Sequence, residues 1–433
     1  MREAAPVPFR FETLALHAGY APEGETRSRA VPIYQTASHV FDDTGQGARL
    51  FGLQEPGYLY ARLGNPTVAV LEARIAALEG GAAAVATASG QAAVALALLS
   101  LARAGDHLVA AGQLYGGTRT LLGQGFARQG ISVDFADARD PESFRRALKP
   151  RTRALYVEAI GNPGLDVPEL EALAEVAHGA GLPLVVDNTL ASPWLLQPLR
   201  HGADVVVHSA TKFLGGHGTS LGGVVVDGGR FDWGSGAFPE FTEPHPAYHG
   251  EVLTARYPEA PLAAKVRLEG LRDFGPALSP FNAFLLLQGV ETLPLRMERH
   301  GKNALALARW LQAHPRVAWV SYPGLENHPD HARAQRCFRP GAGFGGVLAL
   351  GLKGGREAAV RLIDAVRLWS RLANVGDARS LIVHPASTTH QQLSAEERRA
   401  AGVGEDLVRL SVGLEHLEDL REDLERALGE VGA

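Results

Sequence analysis

Ser209-Ala210-Thr211-Lys212-Phe213 sets a lysine beside two hydroxyl side chains and a glycine-rich turn, 25 residues beyond an apolar run that ends in Asp187. The lysine follows the strand-like Ala203-Asp204-Val205-Val206-Val207-His208, and the aspartate closes Leu184-Val185-Val186-Asp187. A lysine amine near its ordinary pKa of ~10.4 is a poor nucleophile until desolvation or a nearby cation lowers that value. A carboxylate ending a run of valines is poorly solvated and needs a partner. For Asp187 that partner is either a pyridinium nitrogen or the amides of a helix beginning after Asn188-Thr189. An amine at one end and an acid at the ring nitrogen is the pairing that grips pyridoxal 5'-phosphate (PLP).

Other residues could complete such a site. Ser89-Gly90-Gln91 reads as a strand-to-helix turn whose free amides, helped by the helix dipole, can bind a phosphate. Ser209 and Thr211 would donate to that phosphate from the lysine turn. Neither GxGxxG nor GxxxxGK[ST] is present there, so a nucleotide-binding oxidoreductase lacks its fingerprint. Tyr115-Gly116-Gly117-Thr118 follows a strand, and its ring either lies on a cofactor face or fills the core. Tyr60-Ala61-Arg62 precedes the first long helix; a guanidinium there suits a phosphate or simply solvent. Arg409 sits inside the apolar Leu407-Val408-Arg409-Leu410-Ser411-Val412-Gly413 and requires a carboxylate, internal or from a substrate. His201, His208, His217, His245, His249, His328, His331 and Cys337 form no HExxH-type spacing, so no metal site is expected. His384 and His390 flank Pro385-Ala386-Ser387-Thr388-Thr389 and are expected to shape a loop. No Gly-x-Ser-x-Gly elbow supports a serine hydrolase.

Short apolar strands alternate with helices of about 10–15 residues, the pattern of a mainly parallel α/β sheet. Strands are expected over 82–88, 106–110, 132–135, 153–158, 184–187, 204–209 and 223–227. In such a sheet ligands bind beyond the carboxyl ends of strands, where Ser89, Glu158, Asp187 and Ser209 all fall. A helix should start at Asn65-Pro66-Thr67 with Thr67 as its cap, and another should run from Val167 to Gly179. Residues 230–280 are aromatic and proline-rich without regular period, and a loop of that length is functional or packed on a partner. One long helix is expected over 289–314. Beyond it, strands near 317–321, 346–352 and 408–412 join helices at 356–368 and 417–428.

Composition narrows the class. The chain has 433 residues, is 46% hydrophobic and 21% charged, and carries a net charge of −5. Acids and bases are interspersed, which leaves no basic face for nucleic acid. One cysteine excludes a disulfide framework. No apolar run approaches the ~20 residues of a membrane span, and Met1–Arg10 lacks an apolar leader. A cytoplasmic enzyme is expected.

Tyr60-x-Arg62 before Asn65-Pro66-Thr67, Ser89-Gly90, Tyr115-Gly116-Gly117-Thr118, Glu158-x-x-x-Asn162-Pro163, Val186-Asp187-Asn188-Thr189, Ser209-x-Thr211-Lys212 and Arg409-x-Ser411-x-Gly413 follow one another along the chain. In this order they resemble the Cys/Met-metabolism PLP enzymes, a resemblance that covers nearly the whole length. Phe11-Glu12-Thr13-Leu14-Ala15-Leu16-His17-Ala18-Gly19, the segment around Pro244–Gly250 and Asn374-Val375-Gly376-Asp377 are most similar to its O-acetylhomoserine sulfhydrylase branch.

The resemblance implies a fold-type-I, aspartate-aminotransferase-like α/β enzyme with a mainly parallel seven-stranded sheet and a smaller α+β C-terminal domain. Residues 1–60 would be an arm against a neighbouring subunit, 61–290 the PLP domain and 291–433 the small domain. Lys212 would be the Schiff-base lysine, Asp187 the pyridinium partner and Tyr115 the stacking ring, with Lys212 and Tyr115 catalytic. Asn162 would lie near the phenolic oxygen. Ser89, Gly90, Gln91, Ser209 and Thr211 would hold the phosphate, joined by Tyr60 and Arg62 from the neighbouring subunit. Arg409 and Asn374 would contact the substrate. Gln91 replaces a methionine common in the family, and Asn374 stands where several lyases carry serine. The implied reaction is γ-replacement on O-acetyl-L-homoserine by sulfide or thiols in a homotetramer of dimers. A γ-lyase or cystathionine-forming enzyme is the rival of like chemistry, and a non-catalytic ligand-binding protein the rival of another class.

Overall fold

The structure is a computed structural model and describes residues 9–22 and 24–431; the reading of Met1–Arg10 falls largely outside them. Seven strands form the main sheet: β1 (Ala83–Thr87), β2 (His107–Ala111), β3 (Ser132–Ala136), β4 (Thr152–Glu158), β5 (Leu184–Asp187), β6 (Val205–Ser209) and β7 (Gly223–Asp227). Their spatial order is β1-β7-β6-β5-β4-β2-β3. Strands β3, β2, β4, β5 and β6 pair in parallel, while β7 runs antiparallel to β1 and β6. The valine and leucine runs of β4, β5 and β6 are continuous because helices cover both faces of a parallel sheet. Glu158, Asp187 and Ser209 end their strands at one edge, and Glu158 is the register partner of Asp187.

A second, five-stranded sheet is built from β8 (Val317–Ser321), β9 (Val347–Leu352), β10 (Ser370–Arg371), β11 (Leu381–Val383) and β12 (Leu407–Ser411), in the order β10-β11-β12-β9-β8. No helix among the described residues is long and apolar enough to cross a membrane.

Several elements differ from the sequence expectation, each for a local reason. The first 60 residues are not wholly extended. They contain α1 (Phe11–His17), which buries Phe11 and Ala15, and α2 (Thr44–Phe51), capped by Asp43. The next helix, α3 (Pro66–Glu79), is capped by Asn65 instead of Thr67. Proline at the first helical position is preorganised for the turn, and the Asn65 side-chain Oδ1 accepts from the Thr67 and Val68 amides. The Thr67 hydroxyl is thereby free to donate to the Pro32 carbonyl. The helix expected from Val167 begins at Leu170, since a residue before proline is driven out of helical geometry and Pro168 follows Val167.

The single helix expected over 289–314 is two, Pro280–Glu291 and Leu293–Gln312, broken at Thr292 before Pro294, which has no N–H to continue the ladder. Residues 230–280 coil into short helical turns around Phe231, Trp233, Phe238 and Phe241. The Trp233 and Phe241 rings stack with centroids 4.3 Å apart, so this aromatic segment packs on its own chain.

Candidate active site

The carboxyl ends of β4, β5 and β6 open into a cleft of about 900 Å³, part of it open solvent. Two more elements close it: α4 (Gly90–Leu99) and α5 (Gly116–Thr120), which follow β1 and β2. The second sheet contributes Arg409 of β12, and the connection between β10 and β11 the 373–375 stretch. Among the described residues the cleft gathers Ser89, Gly90, Gln91, Tyr115, Asn162, Asp187, Ser209, Thr211, Lys212, Asn374 and Arg409. Tyr60 and Arg62 do not line it. Tyr60 is 46% exposed, with the Arg62 guanidinium 5.4 Å from its ring centroid, and Arg62 donates to the Arg272 carbonyl.

Lys212 lies three residues beyond the end of β6. Its Nζ donates to Asn374 Oδ1 at 2.6 Å. Burial first, and then the positive Arg409, lowers the amine from 10.5 to about 8. The backbone after it is held from two directions. Arg296, 5% exposed, donates to the carbonyls of Phe213 at 2.7 Å, Leu214 at 3.2 Å and Gly289 at 2.7 Å. Gly376, at φ +75°, lies so close that an added Cβ would sit 2.6 Å from Phe213 N and 3.0 Å from the Lys212 carbonyl carbon.

Asp187 forms the acid side. Oδ1 accepts the Thr189 amide at 2.9 Å and Oδ2 the Tyr156 hydroxyl at 3.2 Å. Burial raises its carboxyl above the usual range, opposed by the Thr189 donors, by His208 and by Tyr156. The local capping alternative is thus half right: the carboxylate braces its own turn through one oxygen, but no helix starts on it. Beside it the Glu158 carboxyl, 7% exposed, accepts the Tyr115 amide at 2.7 Å. Burial and then Asp187 push Glu158 well above the carboxylate range.

The anion side is the first turn of α4. Ser89 caps it, its hydroxyl accepting from Ala92 N at 3.2 Å. The first amides of a helix have no intrahelical acceptor, which leaves those of Gly90 and Gln91 for a ligand. A Cβ on Gly90 would meet Ser209 Cβ at 2.4 Å, so only glycine allows α4 to approach the lysine turn. The Thr211 hydroxyl is already paired with the Gly222 backbone, accepting its N–H at 3.1 Å.

Arg409 is 3% exposed. Nη1 donates to Asn162 Oδ1 at 2.9 Å and Nη2 to the Asn374 carbonyl at 3.1 Å, while buried Nε has no partner. Burial lowers its pKa from 12.5 to about 10. Its partners are neutral oxygens, so an anion of the right size is the missing complement.

Sequence reasoning passed over Thr118, Tyr156, Thr189 and Leu221, of which all but Tyr156 line the cleft. Thr118 and Thr189 lay within the quoted motifs. Tyr156, fully buried in mid-strand, carried no signal but its hydroxyl.

Comparison with known proteins accounts for this arrangement. The profile of the Cys/Met metabolism PLP-dependent enzymes matches residues 12–429. An O-acetyl-L-homoserine sulfhydrylase of Leptospira meyeri is 56% identical, over 98% of each chain. A homocysteine synthase of Schizosaccharomyces pombe is 53% identical over 96% of this chain and 98% of its own. A Campylobacter jejuni protein assigned as an O-acetylhomoserine (thiol)-lyase, crystallised with a pyridoxyl-lysine phosphate, superposes with a TM-score of 0.94. It is 40% identical, over 97% of this chain and 100% of its own. With amine, buried acid and open helix terminus in one cleft at the strand ends, and a profile spanning nearly every residue, the chain belongs to the Cys/Met metabolism PLP-dependent enzyme family.

Proposed function

We propose that the enzyme makes L-homocysteine and acetate from O-acetyl-L-homoserine and sulfide, a γ-replacement. The observation that carries this reading is the cleft itself: a buried amine lowered to about 8, a braced carboxylate and an anion-seeking guanidinium face one space. These donors suit PLP. Lys212 would hold its aldehyde carbon, Asp187 its ring nitrogen, and the amides of Gly90 and Gln91 with the Ser89, Ser209 and Thr211 side chains its phosphate. Tyr115 would cover the ring face, and Asn162 would lie near the phenolic oxygen. PLP supplies an electron sink for charge developing on the substrate carbon skeleton.

Arg409, steadied by Asn162, binds the substrate carboxylate and so orients the α-carbon toward Lys212. Lys212 Nζ takes the α-proton, with Asn374 Oδ1 holding the amine in reach. Removal of a β-proton then lets acetate leave the γ-carbon; sulfide adds there, the protons return to the β- and α-carbons, and Tyr115, lining the cleft, assists these transfers. Tyr60 and Arg62, off their own cleft, reach the phosphate side of a second copy in a homotetramer built from dimers. The exposed Val40, Phe51 and Tyr58 of the same N-terminal region fit burial against that copy. The enzyme works in the cytoplasm.

The test is the PLP-loaded protein with O-acetyl-L-homoserine, with and without sulfide, following homocysteine and 2-oxobutyrate. Sulfide-dependent homocysteine with little 2-oxobutyrate is expected. Rapid 2-oxobutyrate indifferent to sulfide would replace the reading with a γ-lyase.

A further inference from the structure

Asp187 has protein donors on both oxygens, and the second is the unassigned one. Tyr156 is fully buried in the middle of β4, with its hydroxyl 3.2 Å from Asp187 Oδ2. The same hydroxyl interacts with the side chain of Thr118, 2% exposed, on α5. Thr118 is three residues beyond Tyr115, so the turn that carries the candidate stacking ring also reaches the hydroxyl that Asp187 accepts. A phenol in a valine-rich strand fills space as well without its oxygen. A buried hydroxyl is retained at low cost only when it is hydrogen-bonded, and here its proton has the Asp187 carboxylate.

Resting on the PLP reading above, we propose that Tyr156 is a positioning residue that, braced by Thr118, fixes the plane of the Asp187 carboxylate and keeps the ring-nitrogen proton shared toward the ring. The Thr189 amide holds Oδ1 from the acid's own turn, and the Tyr156 hydroxyl holds Oδ2 from the neighbouring strand. Two donors from different elements stop the carboxylate turning about its terminal bond. A donor on the acid also makes it a weaker base, so a proton between acid and pyridine nitrogen moves toward the nitrogen. Two other titratable groups act on Asp187: Glu158 beside it on β4 and His208 on β6. His208 is committed elsewhere, its Nε2 lying 2.6 Å from Glu79 Oε1 in a fully buried pair. Neither Glu158 nor His208 hydrogen-bonds to Oδ2, and the Thr189 donors act from the acid's own turn, which leaves Tyr156 as the group that holds Oδ2 from a neighbouring strand.

The experiment uses full-length PLP-loaded enzyme bearing Tyr156→Phe or Thr118→Val. Three quantities are read: the pH midpoint of the bound cofactor's visible band, the rate of cofactor release on dilution by fluorescence, and kcat and KM separately. Losing one hydrogen bond to a charged group should speed release about ten-fold and lower kcat by about as much, with KM within about two-fold. The band's midpoint should move with it, and Thr118→Val should shift each quantity in the same direction by less. A Tyr156→Phe enzyme with wild-type band midpoint and release rate overturns the proposal, even if its Tm falls. Should Tyr156→Phe not fold, Thr118→Val decides alone: wild-type spectra and release in that variant also overturn it. Failure of the unsubstituted chain to bind PLP would instead sink the functional reading on which this rests.

Discussion

Arg409→Met separates what this guanidinium does for the fold from what it does for the substrate. The fall of its pKa from 12.5 to about 10 corresponds to about 3 kcal/mol against the charged form, since one unit is worth about 1.4 kcal/mol. A cation disfavoured by burial burdens the folded state at every pH below about 10, and the burden lifts only as pH rises toward the unfolded value. Methionine has similar length and no charge, so it removes that burden. It also removes the donors to Asn162 Oδ1 and the Asn374 carbonyl. Two polar groups losing donors beside an open cleft cost about 1–3 kcal/mol, so the terms nearly cancel. Replacing an incompletely paired buried charge with a well-packed apolar chain is commonly neutral or stabilising. Tm by calorimetry should therefore stay level or rise. Substrate binding has no such offset: losing charge-assisted bonds worth about 2–3 kcal/mol should raise KM for O-acetyl-L-homoserine about 30- to 150-fold. A lower Tm with unchanged KM would refute the reasoning, because Arg409 would then be a structural cation satisfied inside the fold.

Lys212→Ala should abolish turnover while the protein still takes up PLP reversibly, seen as a visible band lost on dialysis; full retained activity would refute the assignment of Lys212. Because the amine is lowered to about 8, its neutral form dominates above that pH. Covalent capture of PLP by cofactor-free protein should speed up about ten-fold per pH unit and level off near 8; stopped-flow rates still climbing toward 10.5 would contradict the burial argument. Gly90→Ala forces a methyl to 2.4 Å from Ser209 Cβ. Overpacking of that kind costs about 1–3 kcal/mol and parts α4 from the lysine turn, so PLP affinity by fluorescence titration should fall about ten-fold or more.

What could be seen in the sequence followed from physical regularity. The β5 and β6 valine runs announce strands buried on both faces, and chemistry at their ends follows from how parallel sheets expose only those ends. The elements misjudged were decided by one or two atoms. Asn65 took the cap because Pro66 suits the first helical position, and Pro294 broke a helix whose apolar period ran on past it. The 230–280 segment hid its turns because its packing is aromatic contact between residues near in sequence, without a helical stripe. Tyr156 was hidden for another reason. A tyrosine in mid-strand reads as core, and its acceptor lies 31 residues away on the next strand. That distance is closed by sheet order, which periodicity does not encode. The position of Tyr60 and Arg62 off their own cleft is equally invisible to spacing.

The clamp behind Lys212 determines what kind of motion catalysis can ask of it. Arg296 ties down the two carbonyls that follow the lysine, and Gly376 presses against the same peptide. The α-carbon is thus a fixed pivot, and the four-carbon side chain is a short arm swinging from it. Rotamer changes of such an arm take picoseconds to nanoseconds, whereas loops take nanoseconds to microseconds. An amine that must release one atom and serve another can do so without the backbone noticing. In the role proposed for Lys212, the pacing of turnover would then fall to slower events, the arrival of the nucleophile and the departure of products past the exposed Tyr115 and Leu221 that line the cleft.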